Sequence, residues 1–314
     1  MQIYKGGAVM DQIQKSLLEQ VAGIHEVPQG AYSIRINGAL HGKNSSENID
    51  IVKKEDKPGI DIYIKDGTKN ESVHIPVLLS QTGIKELVYN DFYIGRDCDV
   101  TIVAGCGIHN GGSEESEHSG IHSFYLAENA KVKYIEKHYG EGDGNGKNIM
   151  NPTTYAELAD GAYLEMETAQ IKGVDSTDRV TRAVLGNDST IVVREKIMTH
   201  GKQYARTEFE VELNGKNSGA HVVSRSVAKD DSEQKFISRI LGNNKCSGHT
   251  ECDAIIMDNA KVAAIPEILA SDPDASLIHE AAIGKIAGEQ LIKLMTLGLS
   301  EKEAEEEIIN GFLR

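Results

Sequence analysis

Residues 126–137 read L-A-E-N-A-K-V-K-Y-I-E-K, residues 158–169 read L-A-D-G-A-Y-L-E-M-E-T-A, and residues 185–196 read L-G-N-D-S-T-I-V-V-R-E-K. All three share one frame: a leucine, a small turn of Gly, Asn and Asp, then residues that alternate as in a strand. The frame returns at Leu213 (L-N-G-K-N-S-G-A-H-V-V-S) and Leu241 (L-G-N-N-K-C-S-G-H-T-E-C), so its starts lie 32, 27, 28 and 28 residues apart. Between the frames stand further alternating runs, T-R-A-V-L, T-E-F-E-V-E-L and K-F-I-S-R-I-L. Units of this length, each with two or three short strands, predict a mainly β chain folded as a parallel β-helix, a solenoid whose coils bury their inward side chains on one another. An antiparallel sandwich is disfavoured, because its turn signals would recur every 8 to 12 residues or so without a constant longer period.

Outward from this core the pattern changes. Residues 12–22 (Q-I-Q-K-S-L-L-E-Q-V-A) predict a helix, and I-R-I-N-G and I-D-I-Y-I predict short strands. Residues 1–88 are therefore expected as a mixed α/β N-terminal segment capping the β-helix of residues 89–272, since the end of a solenoid must be covered. Past Pro273 a helical stripe (Ile283, Ile286, Ala287, Leu291, Leu294) runs to Gly298, and S-E-K-E from Ser300 is a capping box for a second helix carrying Ala304, Ile308 and Phe312. Residues 273–314 are thus expected as a C-terminal helical pair.

Composition narrows the function. Lys and Arg total 33 against 48 Asp and Glu, a net charge of −15, which opposes binding to phosphate backbones and anionic membranes. Four cysteines in 314 residues are too few for a disulfide scaffold and fit a reducing compartment. No apolar run approaches the roughly 18 residues of a membrane span, so a cytoplasmic protein is expected. The glycine-rich G-E-G-D-G-N-G-K-N at 140–148 has Asn148 where a phosphate loop needs Ser or Thr, and a strand rather than a helix is expected after it; it reads as a loop.

Two groups of metal-ligand types remain. Cys106, His109, His118 and His122 have C-x2-H-x8-H-x3-H spacing, which could bind zinc, although the intervening glycines and serines predict a loop with solvated histidines, and His122, starting the strand H-S-F-Y-L, reads as structural. Cys246, His249 and Cys252 fall in one expected strand, whose even spacing puts both cysteines on one face and His249 opposite, which argues against a compact chelate. His279 and Glu280 follow, expected near a helix start. For each cysteine the alternative is simple core packing.

The blocks L-A-E-N-A-K-V-K-Y-I-E, H-T-E-C-D-A-I-I-M-D-N-A-K-V-A-A-I-P-E-I and H-E-A-A-I-G-K-I-A-G-E-Q-L-I-K-L-M-T-L-G-L-S-E-K-E-A-E-E-E-I-I-N-G-F resemble the core of the SufB/SufD family, scaffolds of the SUF iron–sulfur cluster assembly machinery. The resemblance spans roughly residues 90–314. It implies a right-handed parallel β-helix, a pseudo-twofold dimer through the β-helices, and a C-terminal helical pair that docks SufC, an ABC-type ATPase. In SufB-type chains a cysteine of a C-D-x-hydrophobic segment and the glutamate of H-E-A are implicated in building the cluster; they match Cys252 and Glu280. SufD-type chains use the histidine of H-G-A, which matches His279. One chain therefore carries what the paired proteins divide, and a homodimer is expected to suffice in place of a pair of paralogues.

By the same resemblance the iron–sulfur cluster is transient and the sulfur comes from a donor protein; no residue here matches the SufB cysteine that receives sulfur inside the β-helix, and Cys106 and Cys246 are stand-ins without a motif match. Thiolate is the preferred iron ligand, while imidazole or carboxylate binds more weakly, which suits a cluster that must leave. Nothing in the residues speaks for or against a flavin. The competing readings are a β-helix enzyme acting on polysaccharide, for which the absence of Trp offers little sugar stacking, and a zinc protein using the 106–122 residues.

Overall fold

Alternation along the strands separates lumen from solvent: in Tyr163–Lys172 and Tyr204–Leu213 nearly every second side chain is buried. The computed structural model describes residues 9–314. Helix α1 (Gln12–Ala22) precedes β1 (Ala31–Ile36), β2 (Ala39–Asn44), β3 (Ile49–Lys53), β4 (Gly59–Ile64), β5 (Lys69–Leu79) and β6 (Lys85–Ile94). There follow β7 (Asp99–His109), β8 (Ser116–Leu126), β9 (Lys131–Glu141), β10 (Asn148–Met150), β11 (Thr153–Leu158), β12 (Tyr163–Lys172), β13 (Ser176–Leu185) and β14 (Thr190–Thr199). The last strands are β15 (Tyr204–Leu213), β16 (Gly219–Ala228), β17 (Glu233–Gly242), β18 (Ser247–Ile256), β19 (Lys261–Ala270) and β20 (Ser276–Gly284), before helices α2 (Gly288–Thr296) and α3 (Glu301–Phe312).

Strands alternate between two sheets, here called A, with order β2-β1-β5-β7-β9-β12-β14-β16-β18-β20, and B, with order β19-β17-β15-β13-β10-β8-β6-β4-β3 and β11 beside β10 between β8 and β13. All neighbours are parallel except the hairpins β1–β2 and β3–β4. The described residues form a parallel β-solenoid of about eight turns with one helix at its N-terminal side and two at its C-terminal side. The frame leucines Leu126, Leu158, Leu185 and Leu213 stack in register and are buried in the lumen. The Asn, Gly and Asp of the turns have a backbone reason: Asn129, Gly161 and Asp188 take φ of 57°, 70° and 53°, a left-handed conformation these residues tolerate.

The frame at Leu241 slips by one residue. Leu213 pairs with Gly242, so Leu241 faces outward, and the missing side chain at Gly242 is replaced by its neighbours. A methyl group there would meet Cys246 Sγ and Leu277 Cδ1 at 3.1 Å each.

Two other expectations change. Residues 106–122 are not a loop, because β7 and β8 claim all but 110–115. Register pairing with β6 and β11 supplies the backbone bonds that Ser and Gly cannot favour by propensity. Residues 276–284 are a strand paired with β18, and the helical pattern begins only at Gly288. The capping box at Ser300 is present, and α1 has another at Asp11. Helix α1 lies on the outer face of sheet A, burying Leu17, Leu18 and Val21. Gly105 permits this approach, since a methyl there would come within 2.8 Å of the Val21 carbonyl oxygen. Among the described residues no helix is long and apolar enough to cross a membrane.

Candidate functional site at the C-terminal end of the lumen

Cys252 lies on the inward face of β18 and is 1% exposed. Its register partner on β20 is Ala281, so His279, two residues earlier, shares the lumenal face at a Cα separation of about 8 Å. His279 is opposite Thr250, whose hydroxyl is 2.6 Å from Nδ1. That contact fixes the ring and leaves Nε2 as the nitrogen for a metal. Burial lowers the His279 pKa, with the charge of His249 adding, so the imidazole is neutral at pH 7 and able to ligate. Burial pushes the Cys252 thiol up to about 12, with Glu195 and Asp253 contributing; a metal would have to displace that proton to gain the thiolate.

Glu280 does not join them. It sits on the outer face of β20, in register with Glu251, and its Oε2 is 3.4 Å from His249 Nε2. His249 in turn makes an edge contact with His221, ring centroids 5.1 Å apart. Cys246, immediately before β18, is buried as Cys252 is, while His249 faces the other way, as the even spacing predicts. The geometry therefore unites Cys252 and His279 and separates them from Glu280 by the thickness of one sheet. His279 is in a strand rather than near a helix start.

Toward the N-terminal side, the lumen carries a buried polar chain that the sequence reading did not single out. Arg35 Nε donates to Glu86 Oε1 at 2.6 Å, and His118 Nδ1 is 3.6 Å from Glu86 Oε2. Tyr134 donates its hydroxyl hydrogen to Glu136 Oε1 at 2.9 Å and lies 2.9 Å from His122 Nδ1. Glu136 also binds Arg179, whose Nε is 3.6 Å from Glu195 Oε1. Glu195 accepts from Ser224 at 2.8 Å and Thr207 at 3.0 Å, and Ser224 is the β16 register partner of Cys252. Burial would raise the Glu136 carboxyl, but Arg179 and His138 outweigh it and hold it well below its usual range; for Glu195 burial prevails and its pKa rises. Burial drives His122 down to about 4.

Of the 106–122 ligand types, Cys106, His118 and His122 are buried and border one small lumenal cavity with Glu136 and His138, whereas His109 is half-buried at the end of β7, 3.3 Å from Glu141. Among the described residues, no group of three or more His, Cys, Asp or Glu is arranged to hold a metal ion. All four cysteines are free and buried. The missed residues had a legible signal: in K-V-K-Y-I-E-K-H, Glu136 and His138 occupy the same alternate positions as Val132 and Tyr134, and so must face inward.

Residues 91–312 match the core domain described as "SUF system FeS cluster assembly, SufBD core domain". An iron–sulfur cluster assembly SufBD family protein of Methanocaldococcus jannaschii is 29% identical over 265 residues, 83% of each chain. A SufBD family protein of Archaeoglobus fulgidus is 29% identical over 278 residues, 86% of this chain and 72% of its own. A chloroplastic SufBD family protein of Arabidopsis thaliana is 27% identical over 206 residues, 63% of this chain and 37% of its own. The match spans most of the solenoid together with both C-terminal helices, and the chain belongs to the SufBD family of SUF-type iron–sulfur cluster assembly proteins.

Proposed function

We propose that the chain is a cytoplasmic scaffold on which an iron–sulfur cluster is built as cargo, that it works as a homodimer with a SufC-like ATPase and a sulfur donor protein, and that it catalyses no ATP hydrolysis itself. The observation that carries this reading is the placement of Cys252 and neutral His279 on one lumenal face beside the uncovered end of the solenoid. One thiolate and one imidazole give a strong and a weak iron ligand, a pairing suited to a cluster that is assembled and released. Glu280, on the outer face with His249, is assigned the supporting role of an exposed carboxylate able to take up iron before or after the lumenal ligands.

The same end of the solenoid supports the proposed dimer. Strands β19 and β20 are the last members of their sheets, so each offers a row of unpaired backbone groups. Ile268 and Ile283 occupy lumenal positions there yet are 42% and 38% exposed. Long apolar edges of this kind are covered in native proteins, and a second copy provides self-complementary cover around a twofold axis. The pair α2–α3 is assigned the ATPase contact, with Ile292, Met295 and Leu297 exposed.

Anaerobic reconstitution with iron and sulfide tests the function. A sulfide-dependent visible chromophore that disappears in Cys252→Ser supports the scaffold; iron and sulfide content unchanged by that substitution refutes the assignment.

A further inference from the structure

The outer face of sheet A holds a concave surface unrelated to Cys252. A cavity of about 290 Å³ is lined by Lys137, Lys196, Arg194 and Arg314 around an apolar floor that includes Ile135 and Ala169. Lys137, Ala169 and Lys196 lie in one register row on β9, β12 and β14. The two lysines are therefore about 10 Å apart, twice the strand spacing, and the small Ala169 between them leaves the gap open. Arg225 continues the row on β16.

The charges of this group are compensated only in part. Glu167, in the lining, is taken by Lys133 at 2.9 Å, and Arg194 is taken by Glu165. The Glu136 carboxylate points away into the lumen toward Arg179. Among the described residues, Lys137, Lys196 and Arg314 have no ion pair or hydrogen bond through their charged groups. Carboxylates exceed basic side chains by 48 − 33 = 15 in this chain, so no shortage of partners explains two lysines left together. At about 10 Å the repulsion between exposed like charges is small and largely screened by salt, but an anion seated between the two lysines meets both at about half that distance.

We propose that this cavity binds a small phosphate-bearing anion of about the size of pyrophosphate. The volume is at the lower end of ligand sites, roughly 300 Å³ upward, which restricts the occupant to a small anion or to the phosphate end of a larger one. Two lysines either side of Ala169, with a guanidinium also in the lining, match the several oxygens of a phosphate group better than a single carboxylate. The site is independent of the scaffold reading, because no lining residue belongs to the cluster site.

Calorimetric titration of the full chain with pyrophosphate in low-salt buffer is expected to give a Kd of about 1 mM or tighter. The double variant Lys137→Gln/Lys196→Gln, both changes being at solvent-facing positions, is expected to weaken binding at least about tenfold, equivalent to about 1.4 kcal/mol. Glu165→Gln, which frees Arg194, is expected to tighten it. Absence of binding by the unaltered chain, equal affinity in the double variant, or preference for an acidic peptide such as oligoglutamate over pyrophosphate each overturns the proposal. Equal binding of sulfate and pyrophosphate overturns the phosphate assignment as well.

Discussion

The middle of the lumen and its C-terminal end are built on the same coil, yet they solve opposite problems. Between β8 and β16 every charged group has been given a partner: Glu136 and Glu195 flank Arg179, Tyr134 links His122 to Glu136, and hydroxyls of Thr207 and Ser224 close the chain. At β19 and β20 the lumenal row itself reaches solvent, and the ligand types Cys252 and His279 stand beside it. A closed polar lumen contributes to a single well-defined structure, whereas an open one is available to a partner and a cargo. Substitutions in the two regions should therefore separate stability from function.

The largest expected effect is at the open end. Cys252→Ser should remove retained iron and sulfide while changing unfolding free energy by no more than about 1 kcal/mol, since one small buried group replaces another. Loss of fold together with loss of cluster, read by circular dichroism and metal analysis on one sample, would erase the contrast. In the closed region Arg179→Met should do the reverse. It strands Glu136 and Glu195 without their cation, at a cost of about 3–5 kcal/mol in chemical denaturation, and any cluster lost should return in proportion to the folded fraction.

A smaller effect tests what covers the end. Ile268→Lys puts a charge into the exposed lumenal row and should weaken self-association by at least about 2 kcal/mol, roughly thirtyfold, in sedimentation equilibrium. Leu40→Lys, on the outermost strand of the N-terminal side, is the control and should leave association unchanged. An unaltered chain that sediments as a monomer at all concentrations would refute the homodimer. Removal of helices α2 and α3, proposed above to meet the ATPase, has to begin after Gly284, because a cut near Ser276 would also delete β20 and His279.

The same division explains what was readable in the sequence. The coils were legible because Leu126, Leu158, Leu185 and Leu213 must stack in register and their turns need Asn, Asp or Gly at positive φ, two constraints that leave a periodic trace. β20 was misread because Ile283, Ile286, Ala287 and Leu291 have helical spacing, and only pairing with β18, a long-range fact, holds the first of them extended. The separation of Glu280 from Cys252 follows from one residue of strand phase between His279 and Glu280, which adjacency in sequence conceals. The polar lumen was present in the alternation at Glu136 and His138 but was masked by the habit of assigning charged residues to solvent.

Acid should open the closed region in a way that identifies the group responsible. Burial lowers the pKa of His122 to about 4 in the folded chain, against about 6.5 when unfolded, with neighbouring positive groups adding to the shift and Glu136 opposing it. The unfolded state therefore binds a proton on this residue at a pH where the folded state does not. Its contribution to stability is fully present above about pH 6.5 and is lost as pH falls through the interval down to about 4. Between pH 7 and pH 5 this single group should reduce the unfolding free energy by about 2 kcal/mol. His122→Asn is expected to be less stable than the unaltered chain at pH 7, because the Tyr134 hydroxyl and the ring contacts with Phe92 and Tyr134 lose their partner, but to decline less steeply toward pH 5. The measurement is urea unfolding at a series of pH values for both chains. Parallel curves would assign the acid sensitivity to other groups, with His138 the next to test, since it too is buried and its pKa is lowered chiefly by burial. An equivalent change at the open end, His279→Asn, should barely alter the slope, because His279 is only partly buried and gives up far less hydration to remain neutral.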